Sequence, residues 1–565
     1  MSQAFAPAQR WRGFLSADRL SWALLALFAS FVLWRFPDYG VTWDEDLHAY
    51  YGELILRYYA SWMQDTTALT WWNLYIYGGA FDVPATLLTQ ISPFGYYETR
   101  HGFNAAIGIL GIVGTWKLAY ALGGPRAALL AAVLLALTPN YLGHMFNNPK
   151  DIPFAVGMAW GLYYLVRIAQ AWPAVPLSLA ARLGLVVGLT AGVRIGGVLL
   201  IGYLGLLIGA LALSRGLAER SLRRFVQDGM SGLVRVLVPV LVVGYPVMLL
   251  FWPYAQQAPV ANPLAALRDF SHHAYGYQVL LDGTYYWPKD APWTYVPTYT
   301  LLKLPELIVL LIAGASAASL WALTRAATWR DTPRLIALAS LGFAAIFPVA
   351  YAIAIDATVF NGMRHFLFIL PPIAVIGALM LDRVIDRASA WHLGRALAGA
   401  LALYAGYHLS VLARLHPNEY VYYNAFIGGV EGAEGLYKLD YWGNSYAEAV
   451  RGLEGVLRER YGGEFEARRF KIRICGPKVP AKYYFPRNFV EAENDREADF
   501  VIAMSNYVPT ATRIVELDEC RQMMAGIQIH SVERMNVMLS VVIDRRALKL
   551  DMASRTPTRR APGTP

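Results

Sequence analysis

Long apolar runs separated by short polar connections recur along the chain as far as residue 413. A run needs roughly 17 to 25 residues to cross a hydrocarbon core of about 30 Å, and about eleven runs approach that length. The predicted spans are 18–36, 103–122, 126–143, 153–171, 179–193, 195–213, 233–252, 300–323, 334–354, 366–382 and 395–413. With 56% hydrophobic and 16% charged residues, a chain of 565 residues is too apolar for a water-soluble globule. The pattern predicts an α-helical polytopic membrane protein.

One apolar run, from Ala180 to Leu213, is too long for a single crossing. It holds about 34 residues, or roughly 50 Å of helix at 1.5 Å per residue. A split at "VRIGG" places Arg194, Gly196 and Gly197 in a turn between two spans. The first run of the chain follows "RWR" as a signal peptide would, but it lacks a small-residue cleavage site and many spans follow it. We expect that run to stay as a membrane anchor.

The arginines of the short connections predict the orientation. With the N-terminus in the cytoplasm, the inner connections hold Arg126, Arg182, Arg215, Arg220, Arg223, Arg224, Arg325, Arg330, Arg334, Arg383, Arg387 and Arg395. The first outer loop, 37–102, is mainly acidic, and an odd number of spans leaves the C-terminal region outside. The sequence therefore predicts a multi-pass protein of the bacterial inner membrane with a periplasmic C-terminal region. The net charge of +9 reflects this topology and not nucleic-acid binding, because the cations form no single patch.

Hydropathy falls after residue 414 and divides the chain into domains. A membrane-spanning domain over 1–414 contains the first outer loop, 37–102, and a large outer loop, 253–299. The helical pattern of "SYAEAVRGLEGVLRERYG" and the strand patterns of "RRFKIRIC", "ADFVIAMS" and "MNVMLSVVID" predict a small α/β domain over 415–548. The tail, 549–565, has the composition of a disordered segment. Spacing leaves open whether Cys475 and Cys520 form a disulfide on the oxidising side of the membrane.

The stretch "TWDEDLH" places Asp44, Glu45 and Asp46 in a row shortly after the first span. Thr42 and Glu45 have the spacing of a helix capping box, and an acid at Asp44 suits a positive first turn, so capping and function are both open for Glu45. The following "LHAYYGELILRYYASW" has helical spacing and predicts an amphipathic helix along the membrane surface. Its aromatic rings, Tyr50 among them, belong either to an interfacial belt or to a surface that stacks on sugars.

The predicted topology gathers further polar groups on the same outer face. They are Asn147, Asn148, Lys150 and Asp151 of "HMFNNPKDIPF", Arg194 of the turn, His272 and His273 of "SHHAYGYQ", and Arg364 and His365 of "NGMRHF". Each has a structural alternative: helix capping for Asp151, snorkelling for Arg364 and His365, and a solvated pair for the two histidines. Ionisable groups at membrane depth are nevertheless functional candidates, since their burial in lipid is costly. Together they could supply a carboxylate base and a cationic clamp for a departing phosphate.

The order of these features resembles the C-type glycosyltransferase (GT-C) superfold. The shared features are a hydrophobic first span, an Asp-Glu pair in a long outer loop with juxtamembrane helices, a second acidic outer loop, a basic residue in the turn of "GLTAGVRIGG", and an outer C-terminal domain. Within this superfold, the chain is most similar to the protein O-mannosyltransferase and lipid A aminoarabinose transferase branch, which uses polyprenyl-phosphate sugars. The resemblance covers roughly residues 18 to 413 and is strongest at "TWDEDLH", "FNNPKDIPF" and "GMRHFLFILPP".

The resemblance implies roles for particular side chains. Asp44 would be the catalytic base, Glu45 would assist it or be structural, and Asp151 would position the acceptor or, as in some relatives, a metal. The groups implied for the donor phosphate are Lys150, Arg194, Arg364 and His365. The remaining substrate-binding candidates are Asn148, His272, His273 and Tyr50. The family pattern is a pair of acids and not a triplet, which leaves Asp46 without a role.

The predicted function is that of a hexosyl- or pentosyltransferase. It would move a sugar from a polyprenyl-phosphate donor in the bilayer to a hydroxyl of a glycan, glycolipid or protein at the outer face, by an inverting single displacement. The sequence demands no cofactor and leaves room for a divalent metal. A transporter or flippase of a lipid-linked sugar is the alternative, although transporters commonly show internal repeats and binding groups near the midplane. A non-catalytic scaffold would explain the C-terminal domain but not the mixture of carboxylates and arginines.

Overall fold

The computed structural model describes residues 16–271, 276–325, 332–507, 520 and 523–547. The helices before the large outer loop are α1 Ala17–Arg35, α2 Trp43–Ala60, α3 Asp82–Thr89, α4 Tyr96–Ala136, α5 Pro139–Asn147, α6 Asp151–Ala171, α7 Leu177–Ala191, α8 Leu199–Ala218, α9 Leu222–Gly232 and α10 Val238–Leu250. Those that follow are α11 Pro253–Gln257, α12 Ala261–Ser271, α13 Tyr295–Lys303, α14 Glu306–Leu323, α15 Thr332–Ala354, α16 Leu370–Ala390, α17 Gly394–Leu415, α18 Gly429–Ala433, α19 Tyr446–Tyr461 and α20 Val479–Lys482.

The predicted polytopic helical fold is confirmed. Within the described ranges, nine helices are long and apolar enough to cross a membrane. They are Ala17–Asp38, Tyr96–Ala136, Asp151–Ala171, Ile195–Ala218, Leu222–Leu250, Glu306–Leu323, Thr332–Ala354, Arg364–Ala390 and Gly394–Leu415. The shorter apolar helix Leu177–Ala191 adds a tenth segment, and the helical conformation of α4 is interrupted at Gly124, between the predicted spans 103–122 and 126–143.

The kink in α4 has a local cause. Gly124 takes a positive φ of 81°, a region that side chains with a Cβ rarely enter, and Pro125 follows it. The prediction of one continuous span over 126–143 is wrong, because α4 ends at Ala136 and Pro139 begins α5. The predicted span 300–323 also starts too early, since α13 ends at Lys303 and Pro305 precedes α14.

The predicted split at "VRIGG" is confirmed, and it sets one wall of the site described below. Residues 195–198 form a short 3-10 turn between α7 and α8. A Cβ on Gly197 would lie 2.5 Å from the backbone nitrogen of Ala191, so only glycine allows this close return of the chain. Arg194 stands immediately before the turn, in extended conformation.

The C-terminal α/β domain is built on a mixed five-stranded sheet. The strands of the structure are β1 Val279–Leu281, β2 Thr284–Tyr286, β3 Phe470–Cys475, β4 Phe489–Glu491, β5 Phe500–Met504, β6 Ile527–Arg534 and β7 Val537–Asp544. The order in the sheet is β4-β3-β5-β7-β6, with β3 parallel to β4 and β5, and β7 antiparallel to β5 and β6. Helix α19 packs its apolar stripe on this sheet, in agreement with the sequence pattern. Strands β1 and β2 form a separate hairpin in the large outer loop.

A disulfide ties the end of β3 to the neighbouring part of the domain. Cys475 and Cys520 are bonded, with their Cα atoms 5.7 Å apart. The sequence left this pairing open.

The segment between α17 and α19 packs with the membrane-spanning helices. Tyr420, Tyr423 and Trp442 belong to the same buried cluster as the helices, and Val537 and Leu539 of β7 join them there. Most other buried residues from Tyr446 onward form a separate cluster around the sheet. We therefore propose residue 445, and not 415, as the boundary between the two domains. The segment 416–445 is consequently available to build the site of the membrane-spanning part.

Candidate active site

Asp44, in the first turn of α2, contacts two cationic side chains. Its Oδ2 atom lies 2.8 Å from Nζ of Lys150 and accepts a hydrogen bond of 2.7 Å from Nη1 of Arg364. Lys150 directly precedes α6, and Arg364 lies in the short helical turn that leads into α16. Three segments far apart in sequence therefore meet at one carboxylate oxygen.

Asp151 forms the second carboxylate of the site and is held from several sides. Its Oδ1 contacts Nη1 of Arg194, while Oδ2 accepts a hydrogen bond of 3.0 Å from Nδ2 of Asn148. The backbone N–H of Asp151 donates to Oδ1 of Asn148 at 2.9 Å. Nδ2 of Asn148 also lies 3.3 Å from Nδ1 of His144, which uses the second amide hydrogen. This pattern fixes the orientation of the Asp151 carboxylate.

Tyr77 lies beside both ion pairs. Its ring centroid is 5.8 Å from Nζ of Lys150 and 5.6 Å from Cζ of Arg194, within the range of cation–π attraction. The two pairs are therefore neighbours in one cluster, with three cations and two carboxylates among Asp44, Lys150, Asp151, Arg194 and Arg364. We call these five side chains the ion cluster.

The segment 416–445 closes the ion cluster from the side of the C-terminal domain. The Arg364 guanidinium carbon lies 4.8 Å from the ring centroid of Trp442 and 5.1 Å from that of Phe360. Tyr441 places its hydroxyl 3.1 Å from Nε2 of His144. Oδ1 of Asp440 accepts the backbone N–H groups of Trp442 at 3.0 Å and of Gly443 at 2.9 Å, which fixes the chain at this point.

The charges of the cluster keep Asp44 ionised. Burial opposes the charge of Asp44, but Lys150 and Arg364 outweigh it and hold the pKa of this carboxyl well below its usual range. The Asp44 side chain is 19% exposed, whereas those of Asp151 and Arg364 are 2% and 3% exposed. Asp44 is thus the carboxylate of the cluster that a substrate reaches most easily.

The other two acids of the triplet point away from the ion cluster. Oε2 of Glu45 accepts the backbone N–H of Thr42 at 2.8 Å, which is the glutamate half of the predicted capping box, and Oε1 lies 2.9 Å from Nε2 of His101. Oδ1 of Asp46 accepts a hydrogen bond of 2.9 Å from the hydroxyl of Tyr97. These contacts hold Glu45 in the predicted capping arrangement and Asp46 against Tyr97.

The remaining predicted residues fall into three groups. The ring of His365 packs edge-on against Phe360, with centroids 4.5 Å apart, next to Arg364 in the chain. Tyr50 packs on Trp71, with centroids 4.8 Å apart, against the buried apolar cluster that also contains Tyr77. His272 and His273 lie outside the described residues.

Several buried groups near the site carried no recognised signal in the sequence. They include His144, Tyr441 and Trp442, which lie within apolar or aromatic stretches. His144 contacts Asn148 and Tyr441, and Trp442 contacts Arg364; these contacts distinguish the three residues from ordinary core residues. His48 follows Asp44 by one helical turn. Its Nδ1 lies 2.9 Å from Oδ2 of Asp82, whose Oδ1 accepts a hydrogen bond of 2.7 Å from Arg100. The i, i+4 spacing of Asp44 and His48 on α2 was the sequence signal that could have predicted that these two side chains lie on one face of the helix.

The residues around Asp151 do not fit a divalent cation. A guanidinium takes one of its carboxylate oxygens and an amide N–H takes the other, whereas hard cations are bound by several oxygen ligands. Among the side chains that the structure describes, no group of three or more His, Cys, Asp or Glu residues could hold a metal ion.

Comparison with known proteins agrees with the resemblance seen in the motifs. Residues 86–245 match the model of a family described as dolichyl-phosphate-mannose-protein mannosyltransferase. The matched segment includes Lys150, Asp151 and Arg194 and leaves Asp44 and Arg364 outside it. No curated protein matches the sequence. The family match confirms the predicted resemblance to the O-mannosyltransferase branch over this minority of the chain.

Solved structures with a similar course of the chain come from two groups of proteins. ArnT from Cupriavidus metallidurans in the apo state is 14% identical, with a TM-score of 0.48 and coverage of 94% of this chain and 99% of that one. The same protein bound to undecaprenyl phosphate is 13% identical, with a TM-score of 0.48 and coverage of 93% and 97%. The apo oligosaccharyltransferase of Archaeoglobus fulgidus is 13% identical, with a TM-score of 0.45 and coverage of 88% and 70%.

Proposed function

We propose that this protein is a membrane glycosyltransferase that takes its sugar from a polyprenyl-phosphate donor and transfers it to an acceptor hydroxyl on the extracytoplasmic side. The observation that carries the proposal is that Asp44 shares one oxygen between Lys150 and Arg364. A candidate base and two candidate phosphate ligands therefore contact one another before any substrate enters. The family match over 86–245 supports this donor class, because dolichyl phosphate mannose is a sugar on a polyprenyl phosphate.

The reaction is a single displacement at the anomeric carbon. The acceptor oxygen forms a bond to that carbon while the bond from the carbon to the phosphate oxygen breaks, so the configuration inverts. The hydroxyl proton passes to the carboxylate of Asp44, and the electron pair of the broken bond leaves with the polyprenyl phosphate. Lys150 and Arg364 stabilise the negative charge that develops on the leaving phosphate. Arg194, which forms an ion pair with Asp151, lies nearby.

Donor binding would change the basicity of Asp44. Without donor, Lys150 and Arg364 lower its pKa, and so weak a base accepts a proton poorly. A phosphate that binds these two cations neutralises part of their positive charge. Their effect on Asp44 is then weaker, so the pKa of Asp44 rises once the donor is bound. The ion cluster would in this way keep the base inactive until the donor is in place.

The decisive experiment is donor turnover by the purified full chain. The protein is incubated with a panel of polyprenyl-phosphate sugars and candidate acceptors, and release of the lipid phosphate is measured. Asp44→Asn removes the base and keeps the shape of the side chain, so we expect it to lose essentially all turnover, which corresponds to a loss of about 10²-fold or more.

Asp46→Asn is the matched control. Asp46 belongs to the same acidic triplet but contacts Tyr97 and not the ion cluster, so its turnover should stay near that of the wild type. Equal turnover of the wild type and Asp44→Asn would remove Asp44 from the mechanism. If neither sugar nor lipid phosphate is released with any donor and acceptor, the proposed function is wrong.

A further inference from the structure

A cavity lined by basic and aromatic side chains lies between α4 and α6, away from the ion cluster. It has a volume of about 450 Å³ and is lined by Trp116, Lys117, Tyr120, Tyr163, Arg167 and Gln170. We call it the basic aromatic cavity. Its volume lies within the range of about 300 to 1,000 Å³ that is usual for ligand pockets.

The basic aromatic cavity lies near the opposite face of the membrane from the ion cluster. Helix α6 begins with Asp151 of the ion cluster, and the interval from Asp151 to Arg167 corresponds to about 24 Å of helix at 1.5 Å per residue. A hydrocarbon core is about 30 Å thick. Arg167 therefore stands close to the other membrane interface, one turn before α6 ends at Ala171.

The two cations of this cavity have no acidic partner in the part of the chain that the structure describes. Nζ of Lys117 lies 5.9 Å from the ring centroids of both Trp116 and Tyr163. Arg167 donates from Nη1 to the hydroxyl of Tyr163 at 3.2 Å, and its guanidinium carbon is 6.0 Å from the same ring. The partners of the two cations are thus aromatic rings and a phenol hydroxyl, and none of these partners is a carboxylate.

Two neutral nitrogen donors of the cavity lining are not open to a ligand. The buried indole Nε1 of Trp116 has no hydrogen-bond partner among the described residues. Gln170 is already engaged, since its Nε2 donates to the backbone oxygen of Ala121 at 2.7 Å. The anion-binding groups of the cavity are therefore the two cations, Lys117 and Arg167.

We propose that the basic aromatic cavity binds the phosphate headgroup of an anionic phospholipid in the leaflet opposite the ion cluster. Cations within membrane spans are costly unless they are paired, and a lipid phosphate supplies the missing partner. Basic pockets between transmembrane helices are suited to anionic headgroups, and aromatic side chains favour the depth at which headgroups lie. The bound lipid would join α4 and α6, both of which contribute to the ion cluster or its surroundings.

The test measures lipid binding by the purified full chain in neutral detergent. Native mass spectrometry and the thermal unfolding midpoint are followed while phosphatidylglycerol is added. We expect a bound lipid and a higher unfolding midpoint for the wild type, with weaker effects of phosphatidylcholine. Each removed cation should weaken the apparent affinity by about five-fold, so Lys117→Gln combined with Arg167→Gln should weaken it by about 25-fold.

Three further variants distinguish binding in this cavity from general electrostatic attraction between the protein and the anionic lipid. Arg182→Gln removes an exposed cation near the start of α7, at the same predicted face but outside the cavity, and should bind like the wild type. Lys117→Arg keeps the charge and should retain binding. If the double variant does not fold, lipid binding by Lys117→Arg is compared with that of the single variant Arg167→Gln. The single variant Arg167→Gln changes an exposed residue and gives the same test with little risk to folding.

The possible outcomes decide the proposal. Equal phosphatidylglycerol affinity of the wild type and Arg167→Gln would show that the cations only snorkel to the interface, and would overturn it. An equal loss in Arg182→Gln would show a non-specific surface effect and would also overturn it. If inorganic phosphate raises the unfolding midpoint as much as phosphatidylglycerol does, the cavity binds free phosphate and not a lipid. These results are independent of glycosyl transfer.

Discussion

Nη1 of Arg364 donates a 2.7 Å hydrogen bond to Oδ2 of Asp44 across a separation of 320 residues. The bond joins the start of α2, in the first outer loop, to the turn that leads into α16. The carboxylate of Asp44 and the guanidinium of Arg364 are far apart in sequence but in direct contact. Lys150 contacts the same carboxylate oxygen. A residue that only caps a helix bonds to the end of that helix. The ion cluster is therefore not explained by helix capping, because its contacts join separate segments.

Replacement of Arg364 tests whether it binds the donor phosphate. We expect Arg364→Gln to lower kcat/KM for the donor by about 10²-fold or more, because removal of one preorganised donor to developing charge has an effect of this size. Arg364→Lys keeps the charge but loses the planar fork, so it should retain part of the activity. Initial rates over a range of donor concentrations measure both. A Gln variant with the kcat/KM of the wild type would exclude this role.

Replacement of Glu45 separates structure from chemistry within the acidic triplet. Glu45→Gln keeps an acceptor for Thr42 but weakens the contact with His101. We expect the free energy of unfolding to fall by about 1 to 3 kcal/mol, while turnover of the folded fraction stays within a few-fold of the wild type. Thermal unfolding measures the change in stability, and an assay at a single donor concentration on the same sample measures turnover. Loss of turnover without loss of stability would instead assign the chemistry to Glu45.

The stability of the protein should depend on pH through two histidines with opposite shifts. Burial lowers the pKa of His144 to about 3, with Arg364 and Lys303 adding to this effect and Asp151 opposing it. Burial also opposes the charge of His416, but Glu419 and Asp38 outweigh it and raise the pKa of His416.

The sign of each contribution follows from linkage. His144 stays neutral in the fold, so its contribution is complete above the unfolded pKa of about 6.5 and is lost as the pH falls below it, by about 1.4 kcal/mol per pH unit at most. The contribution of His416 is complete below about 6.5 and is lost as the pH rises through its raised pKa. Unfolding in detergent between pH 4 and 9 should show a maximum near neutrality. His144→Gln should flatten the acidic side, and an unchanged acidic side would contradict this assignment.

Replacement of Trp442 tests whether segment 416–445 belongs to the site. Trp442→Ala removes the ring beside the Arg364 guanidinium, and we expect about ten-fold lower kcat/KM from the lost cation–π contact. The buried cavity should also lower the free energy of unfolding by about 3 to 5 kcal/mol. Trp442→Phe keeps a ring and should recover much of the activity. If the Ala variant is destabilised but catalyses as fast as the wild type, the segment only supports the fold.

Local pattern alone was sufficient for most of the spanning helices, the split before α8, and strands β3, β5 and β7 of the C-terminal domain, whereas β4 and β6 were not predicted. Each depends on the hydrophobic periodicity of a short window, and "VRIGG" needs only the length limit of a span and the small size of glycine. The capping role of Glu45 was likewise visible in the spacing from Thr42. The break before Pro139 was missed because apolar residues continue across it, and hydropathy does not register a turn whose backbone groups are bonded within the protein.

The sequence by itself determined that this chain crosses a membrane many times and carries acids, arginines and a lysine at one of its faces. Only the tertiary structure decided which of them meet: Asp44 with Lys150 and Arg364, Asp151 with Arg194, and Trp442 with Arg364. Helices form from contacts a few residues apart, so their pattern is local. The ion pairs of this site join residues that are from 43 to 320 positions apart, and the packing of whole helices brings them together.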